Sequence, residues 1–141
     1  SSRSLNPWQF VVVTERDLIE KLAGAKAHGS KFMKHAPLAI AVCADPEKSD
    51  VWVEDTSIAA LILHLTATDL ELGSCWVQIR LRGHVDGSSS EQYVKDVLGI
   101  EEKMVVEAIV AIGYPAEEKQ GHDHSSLLFE RVSYNRYGQG N

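Results

Sequence analysis

Apolar positions along the chain fall into short unbroken runs separated by polar, turn-forming stretches, with one much longer run in the middle. Trp8-Gln9-Phe10-Val11-Val12-Val13 is β-branched and aromatic, which predicts a buried strand. Thr14 predicts a helix N-cap, with Asp17 approximating a capping box, Leu18, Ile19 and Leu22 forming the apolar stripe, and Gly24 the stop. His28 to His35 predicts a short second helix, cut off by Pro37 before the apolar strand Leu38 to Cys43. Val51 to Leu72 predicts the longest helix. Its middle, Ile58-Ala59-Ala60-Leu61-Ile62-Leu63-His64-Leu65, is apolar almost all the way round, so it should be covered on every side, by its own core or by a partner. Gly73 is expected at C′, and Ser74 to Ile79 as a third strand. After the flexible Gly83 to Ser90 loop, Ser90, Glu91, Tyr93, Val94, Val97 and Leu98 predict a short helix closed by Gly99. Val105 to Gly113 predicts the fourth strand, and Tyr114-Pro115 ends it. The tail from Ala116 carries few apolar anchors beyond Leu127-Leu128-Phe129 and Val132, which suggests that it lies across a second subunit.

Four strands interleaved with helices give an α/β or α+β sandwich. The chain has 141 residues, a length that suits one domain with a core of its own, over residues 1–141. The formal charge is −6, with 14 Lys and Arg against 20 Asp and Glu and no basic run. This argues against a nucleic-acid partner, because phosphate backbones are held by clustered cations. No apolar run reaches the roughly 18 residues of a membrane helix, so no membrane partner is expected. Cys43 and Cys75 sit in apolar, strand-like runs without ligand spacing; they are expected as buried thiols, which fits a reducing cytoplasm. The chain opens on Ser1-Ser2 without an initiator Met, which suggests a further N-terminal portion.

Three segments carry a resemblance. SSRSLNPWQFVVV at the start, LELGSCWVQI at the helix-to-strand join and VVEAIVAIGYPAEEK at the last strand resemble, in order and approximate spacing, the nitroreductase family of FMN-dependent oxidoreductases. The resemblance implies an α+β three-layer sandwich with a mostly antiparallel or mixed central sheet flanked by helices. It also implies an obligate homodimer with two flavins at the interface and a C-terminal tail embracing the partner.

The same resemblance assigns the site. Trp76, Val77, Gln78 and Ile79 would supply backbone contacts to the isoalloxazine ring, with the amide near Gln78 facing N5; read on the strand alone, Trp76 and Ile79 are core residues. Ser1 and Ser2 match the family's paired serines, which reach the flavin from the opposite subunit. Ser4 stands where the family has Asn, and Asn6 where it has Gln. Lys119, after Gly113-Tyr114-Pro115, would face the phosphate, with His122-Asp123-His124 replacing an Arg often found further on. Lys31 or Lys34 would lie near the flavin's polar edge. The family's Arg-rich phosphate motif would precede Ser1.

The implied function is an FMN-dependent oxidoreductase passing hydride from NAD(P)H through flavin N5 to an electron-poor small molecule, a nitroaromatic or quinone, by a ping-pong route. No catalytic side chain is needed, because the flavin carries the difficult step. The alternatives are a flavin-binding regulatory or partner-binding module with little turnover, and a reductive dehalogenase or ene-reductase on the same fold. His122 and His124 lack further identifiable ligands, so no metal site is assigned. His64 reads as a satisfied core or interface histidine, and Asp55 as favouring the helix dipole.

Overall fold

The computed structural model describes residues 1–139. Its centre is a pair of strands whose side chains are covered on both faces, β2 (Leu38–Ala44) and β4 (Val105–Gly113). β1 (Trp8–Val13) and β3 (Gly73–Gln78) flank them, in the order β1-β2-β4-β3, and all three pairings are antiparallel. The Leu38 and Val105 runs become inner strands because burial on both faces tolerates no alternation with polar residues, whereas the Trp8 run, expected as buried, forms an edge strand with Phe10 and Val12 exposed, because only β2 pairs with it among the described residues.

Helices occupy both faces. α1 (Arg16–Ala23) and α3 (Ser90–Leu98) pack Ile19, Leu22, Ala23 and Val94 against Val13, Ala39, Ala41, Cys43, Val77, Ile79, Val106 and Ile109. α2 (Trp52–Asp69) packs Ala60 and Ala67 against Ile40, Val42, Val110 and Ile112 on the opposite face, with Leu63, Leu72 and Trp76 at the margin. The α+β three-layer architecture is therefore as the sequence implies. In register, Val42 pairs with Ala108 but Cys43 with Val106, leaving Glu107 as the extra residue of a bulge. Because of it, Val106 and Ile109 share one core although three positions separate them.

The helix ends differ from expectation in two places. α1 begins at Arg16 with Glu15 as N-cap and no side-chain cap bond, so Thr14 and Asp17 form no capping box. α2 ends not at Gly73 but at Glu71, which takes the left-handed conformation (φ 59°). Its N–H bonds Thr68 O (3.0 Å) and that of Leu72 bonds Ala67 O (2.8 Å), a Schellman closure. The earlier stop has a packing cause: it brings Leu72 onto the α2-side core beside Ala67. Gly73 is left free to open β3. The expected second helix is a 3-10 turn, Lys31–His35, whereas α3 has its cap in Ser89, which accepts from Gln92 N (3.0 Å), and its stop in left-handed Gly99.

The middle of α2 is not covered on all sides by its own chain: Ile58, Leu61, Ile62 and Leu65 are 54–61% exposed. Cys75 is exposed, against the expectation of a buried thiol, because it lies on edge strand β3. The tail from Ala116 runs exposed through short turns at His124–Ser126 and Phe129–Arg131.

Gly113 closes β4 where Pro37 leads into β2, and a Cβ there would come within 2.8 Å of Pro37 Cδ. The rigid ring cannot swing aside, so Gly113→Ala is expected to lower stability by about 1–3 kcal/mol, the usual cost of overpacking. Urea denaturation measures this; an unchanged midpoint would contradict the close approach.

Candidate active site

β3 is an edge strand, and its backbone pattern decides what it offers. Ile79 donates its N–H to Glu107 O (3.2 Å), and the register continues unbroken from Gln78↔Ala108 to Gly73↔Gly113. Alternation in an antiparallel ladder then turns the Val77 N–H toward β4 and those of Gln78 and Trp76 away from it. Of the two amides singled out on the sequence, only that of Gln78 faces the open edge. The Val77 and Ile79 side chains are buried in the α1/α3 core, so these two residues back the edge without reaching past it.

The side chains of the edge are held by one another. Trp76 Nε1 donates to Gln78 Oε1 (2.9 Å), and Gln78 Nε2 donates to Arg80 O (3.1 Å). This chain satisfies the indole N–H and the amide without a solvent partner. At the other end of β3, His64 Nδ1 lies 2.7 Å from Ser74 Oγ, tying α2 to the strand.

A cleft of about 680 Å³ opens beside that second end, walled by Phe32, His35, Cys75, Ile112, Tyr114 and Lys119 among others. Lys119 reaches it but is paired with Glu117 (3.1 Å). Lys31 and Lys34 lie exposed on the same 3-10 turn as Phe32 and His35, outside the cleft wall. Gly73 at the cleft and Gln78 at the far end are five residues apart, about 17 Å at the usual strand rise. Lys119 and Gln78 therefore mark the two ends of one edge.

Ser1, Ser2, Ser4 and Asn6 are exposed, near the N-terminus of α2. Ser1 Oγ donates to Asp55 Oδ2 (2.8 Å) and accepts from Asn6 N (3.1 Å), and Arg3 pairs with Asp50 (3.0 Å). Asp55 thus anchors the N-terminal segment, a role beyond the dipole. Arg3, Ser4 and Asn6 all take left-handed backbone (φ 53°, 54° and 46°), which ordinary L-residues hold only when the surroundings impose it. Among the described residues no hydrogen bond joins this segment to β3 or Lys119; its side-chain bonds run to Asp55 and Asp50.

Sequence reading missed three residues at the Gln78 end. Glu107, the bulge residue, is 4% exposed, and Arg80 Nε lies 3.9 Å from its Oε2. The Arg80 guanidinium sits 5.5 Å from the centre of the Trp52 ring. Burial pushes the Glu107 carboxyl above the usual glutamate range, opposed by the Gln78 amide and the Arg80 charge and reinforced by Glu91. The available signal was one acid inside the otherwise apolar run VVEAIVAIG, a local conflict of the kind that marks special positions. Elsewhere, burial pushes the Cys43 thiol up to about 12, which makes it inert. His124 lies against Phe129 (4.8 Å between rings).

The nitroreductase family model matches residues 24–114. Two curated archaeal proteins, both named "Putative NADH dehydrogenase/NAD(P)H nitroreductase", are 35% identical over 87% of the chain (Archaeoglobus fulgidus) and 33% over 83% (Methanothermobacter thermautotrophicus). The alignments span 70% and 60% of those proteins' lengths. Among solved structures, an FMN-dependent nitroreductase from Clostridium difficile R20291 superposes with a TM-score of 0.94 at 41% identity, covering 97% of this chain and 80% of that one.

Glu107 yields a pH prediction with a definite sign. Its carboxyl holds its proton more tightly folded than at the ordinary value of 4.5. As pH rises above about 4.5 the unfolded chain releases a proton that the folded chain keeps, so stability falls until the folded group also ionises. Glu107→Gln removes this loss and is expected to gain stability relative to the wild type with rising pH, in urea denaturation at a series of pH values. A constant difference between the two proteins across pH 4–8 would contradict the assignment.

Proposed function

The chain belongs to the nitroreductase family, and from that membership we propose that it is an FMN-dependent oxidoreductase drawing hydride from NAD(P)H and working as a homodimer. The observation that carries this reading is the open β3 edge, with the Gln78 N–H turned outward at one end and a cleft that reaches Lys119 at the other. A flavin ring needs amide donors at its N5 and carbonyl edge, and unpaired strand N–H groups are donors of that kind. The donor set fits the group: Gln78 N–H toward the ring, Trp76 behind it, Lys119 toward the phosphate. Lys31 would stand near the polar edge.

When bound, FMN supplies the relay of hydride from NAD(P)H to an electron-poor acceptor, a nitroaromatic or quinone, in two half-reactions sharing one position. The residues of the chain bind and orient. The Trp76–Gln78–Arg80 bonds keep the edge from shifting, so the Gln78 amide is aimed before any ligand arrives. Val77 and Ile79 fix the strand from behind by burial.

The second subunit follows from α2. Burying Ile58, Leu61, Ile62 and Leu65 is worth about 1.5–3 kcal/mol each, and a copy of the same helix offers a self-complementary surface of that kind. Ser1, Ser2, Ser4 and Asn6 are anchored at the N-terminus of this helix, where a partner's flavin would be within their reach. The tail from Ala116, exposed here with Leu127, Leu128 and Phe129, would embrace the partner. A second reading, a flavin-binding module with little turnover, is favoured by the Lys119–Glu117 pair, which leaves the phosphate end short of free positive charge.

Purified protein incubated with FMN is expected to bind it, to lose the visible flavin absorbance on addition of NADPH, and to regain it with a quinone. Bound flavin that NADPH cannot bleach would support the module instead. Gln78→Pro removes the outward N–H without breaking a ladder bond, and with it the side-chain bonds to Trp76 and Arg80, which Gln78→Ala removes alone. It is expected to fold yet bind FMN about tenfold more weakly than Gln78→Ala, the worth of one good hydrogen bond. Undiminished affinity in this variant would refute the edge-amide contact.

A further inference from the structure

The Arg80 side chain is more enclosed than a surface arginine, lying between two groups of other elements, and nothing in the reaction above accounts for it. Its side chain is 35% exposed. On one side lies the buried Glu107 carboxyl, 3.9 Å from Nε; on the other lies the Trp52 ring of α2, 5.5 Å from the guanidinium carbon. Its own backbone is pinned as well: the Arg80 N–H donates to Glu107 O (3.0 Å), the same carbonyl that takes Ile79 N–H. Its carbonyl takes the Gln78 side-chain amide. The chain then turns sharply at Leu81 (φ 57°).

Each contact has a cost that suits a positioned charge better than a structural tie. Glu107 Oε2 is buried and has no hydrogen-bond partner among the described residues, and 3.9 Å is too long for a hydrogen bond. A pair built for stability would close that gap, since a buried polar atom left unsatisfied is destabilising. What the arrangement does achieve is to keep one permanent cation within two residues of Gln78, with its direction set from both sides.

We propose that Arg80 is an electrostatic tuning residue that raises the reduction potential of the flavin at the β3 edge, with Glu107 and Trp52 as the residues that position its guanidinium. This rests on the reading that the Gln78 amide faces the flavin ring. A cation near the ring edge favours the reduced, negatively charged flavin over the oxidised, neutral one, so it makes the bound flavin easier to reduce. Arginine suits the task because it does not lose its charge at any working pH. Two carboxylates modulate it. Glu107 faces Arg80 from β4, and Glu91, on α3, acts on Glu107. While Glu107 holds a proton the Arg80 charge acts at full strength, and when Glu107 ionises part of that charge is cancelled.

The test is the midpoint potential of the bound FMN, measured against reference dyes, in the wild type, Arg80→Gln, Glu107→Gln and the double variant. Arg80→Gln is expected to lower the potential. Glu107→Gln is expected to keep the wild-type value at low pH and to lack the fall that ionisation adds as pH rises. The double variant guards against misfolding from an unpaired buried carboxylate and is expected to match Arg80→Gln at low pH, where Glu107 holds its proton. An apoprotein readout needs no flavin: the Arg80 Nε–H resonance is expected to shift when Trp52→Leu removes the ring above it. Arg80→Gln and wild type binding FMN at equal potential would overturn this inference alone, as would an Arg80 resonance indifferent to Trp52. A wild-type protein that takes up no FMN overturns the underlying reading and this inference with it.

Discussion

A backbone N–H that faces away from its own sheet must find a partner, and most of what is distinctive here follows from that constraint on β3. Among the described residues, the strand order leaves β3 paired on one side only. The residues around it keep the open side rigid: Val77 and Ile79 are locked into one core, Trp76 leans on the other, and the Gln78 side chain is committed to Trp76 and Arg80. An edge so rigid is a poor candidate for chance aggregation and a good template for one flat, polar-edged ligand. The bulge at Glu107 serves the same edge, since the extra residue brings a carboxyl and a doubly used carbonyl to the point where β3 ends.

The second constraint is that α2 cannot satisfy itself. It covers the sheet chiefly with small residues, Ala60 and Ala67, and turns Ile58, Leu61, Ile62 and Leu65 outward. Small residues facing the sheet let the helix lie close, and the large ones facing outward need another apolar surface. The N-terminal segment is tied to the same helix through Ser1 and Asp55, so the residues the sequence assigns to a partner's flavin travel with the surface that would meet the partner.

The strands were legible because runs such as Leu38–Ala44 have no polar position to place on a solvent face, and α3 because Gly99 marked its stop. Helix ends were less so. The closure at Glu71 depends on Leu72 seeking the core, a tertiary pull that no local rule contains, and a nearby glycine drew the expectation two residues too far. Cys75 read as buried because an edge strand and an inner strand share the same composition. The strand carrying Gln78 was legible from the LGSCWVQIR join, but which of two neighbouring amides faces outward depends on register, and register is set by β4. Arg80, Glu107 and Trp52 belong to three separate elements, and the bulge that brings Glu107 toward Arg80 has no local signature beyond one misplaced acid.

The central claim is that one flavin site is made by two copies of the chain, the β3 edge from one and the Ser1–Asn6 segment from the other. A mixed dimer tests it directly. Gln78→Pro spoils the edge and Ser2→Trp obstructs the N-terminal segment, so a homodimer of either variant has both of its sites damaged. If each site draws on both subunits, a heterodimer carrying one of each variant, isolated through two different tags, combines the intact edge of one chain with the intact segment of the other. The account predicts recovery of tight FMN binding at one flavin per heterodimer. A well-formed heterodimer that recovers no tight binding would contradict it, and would mean that edge and segment serve the flavin of their own chain.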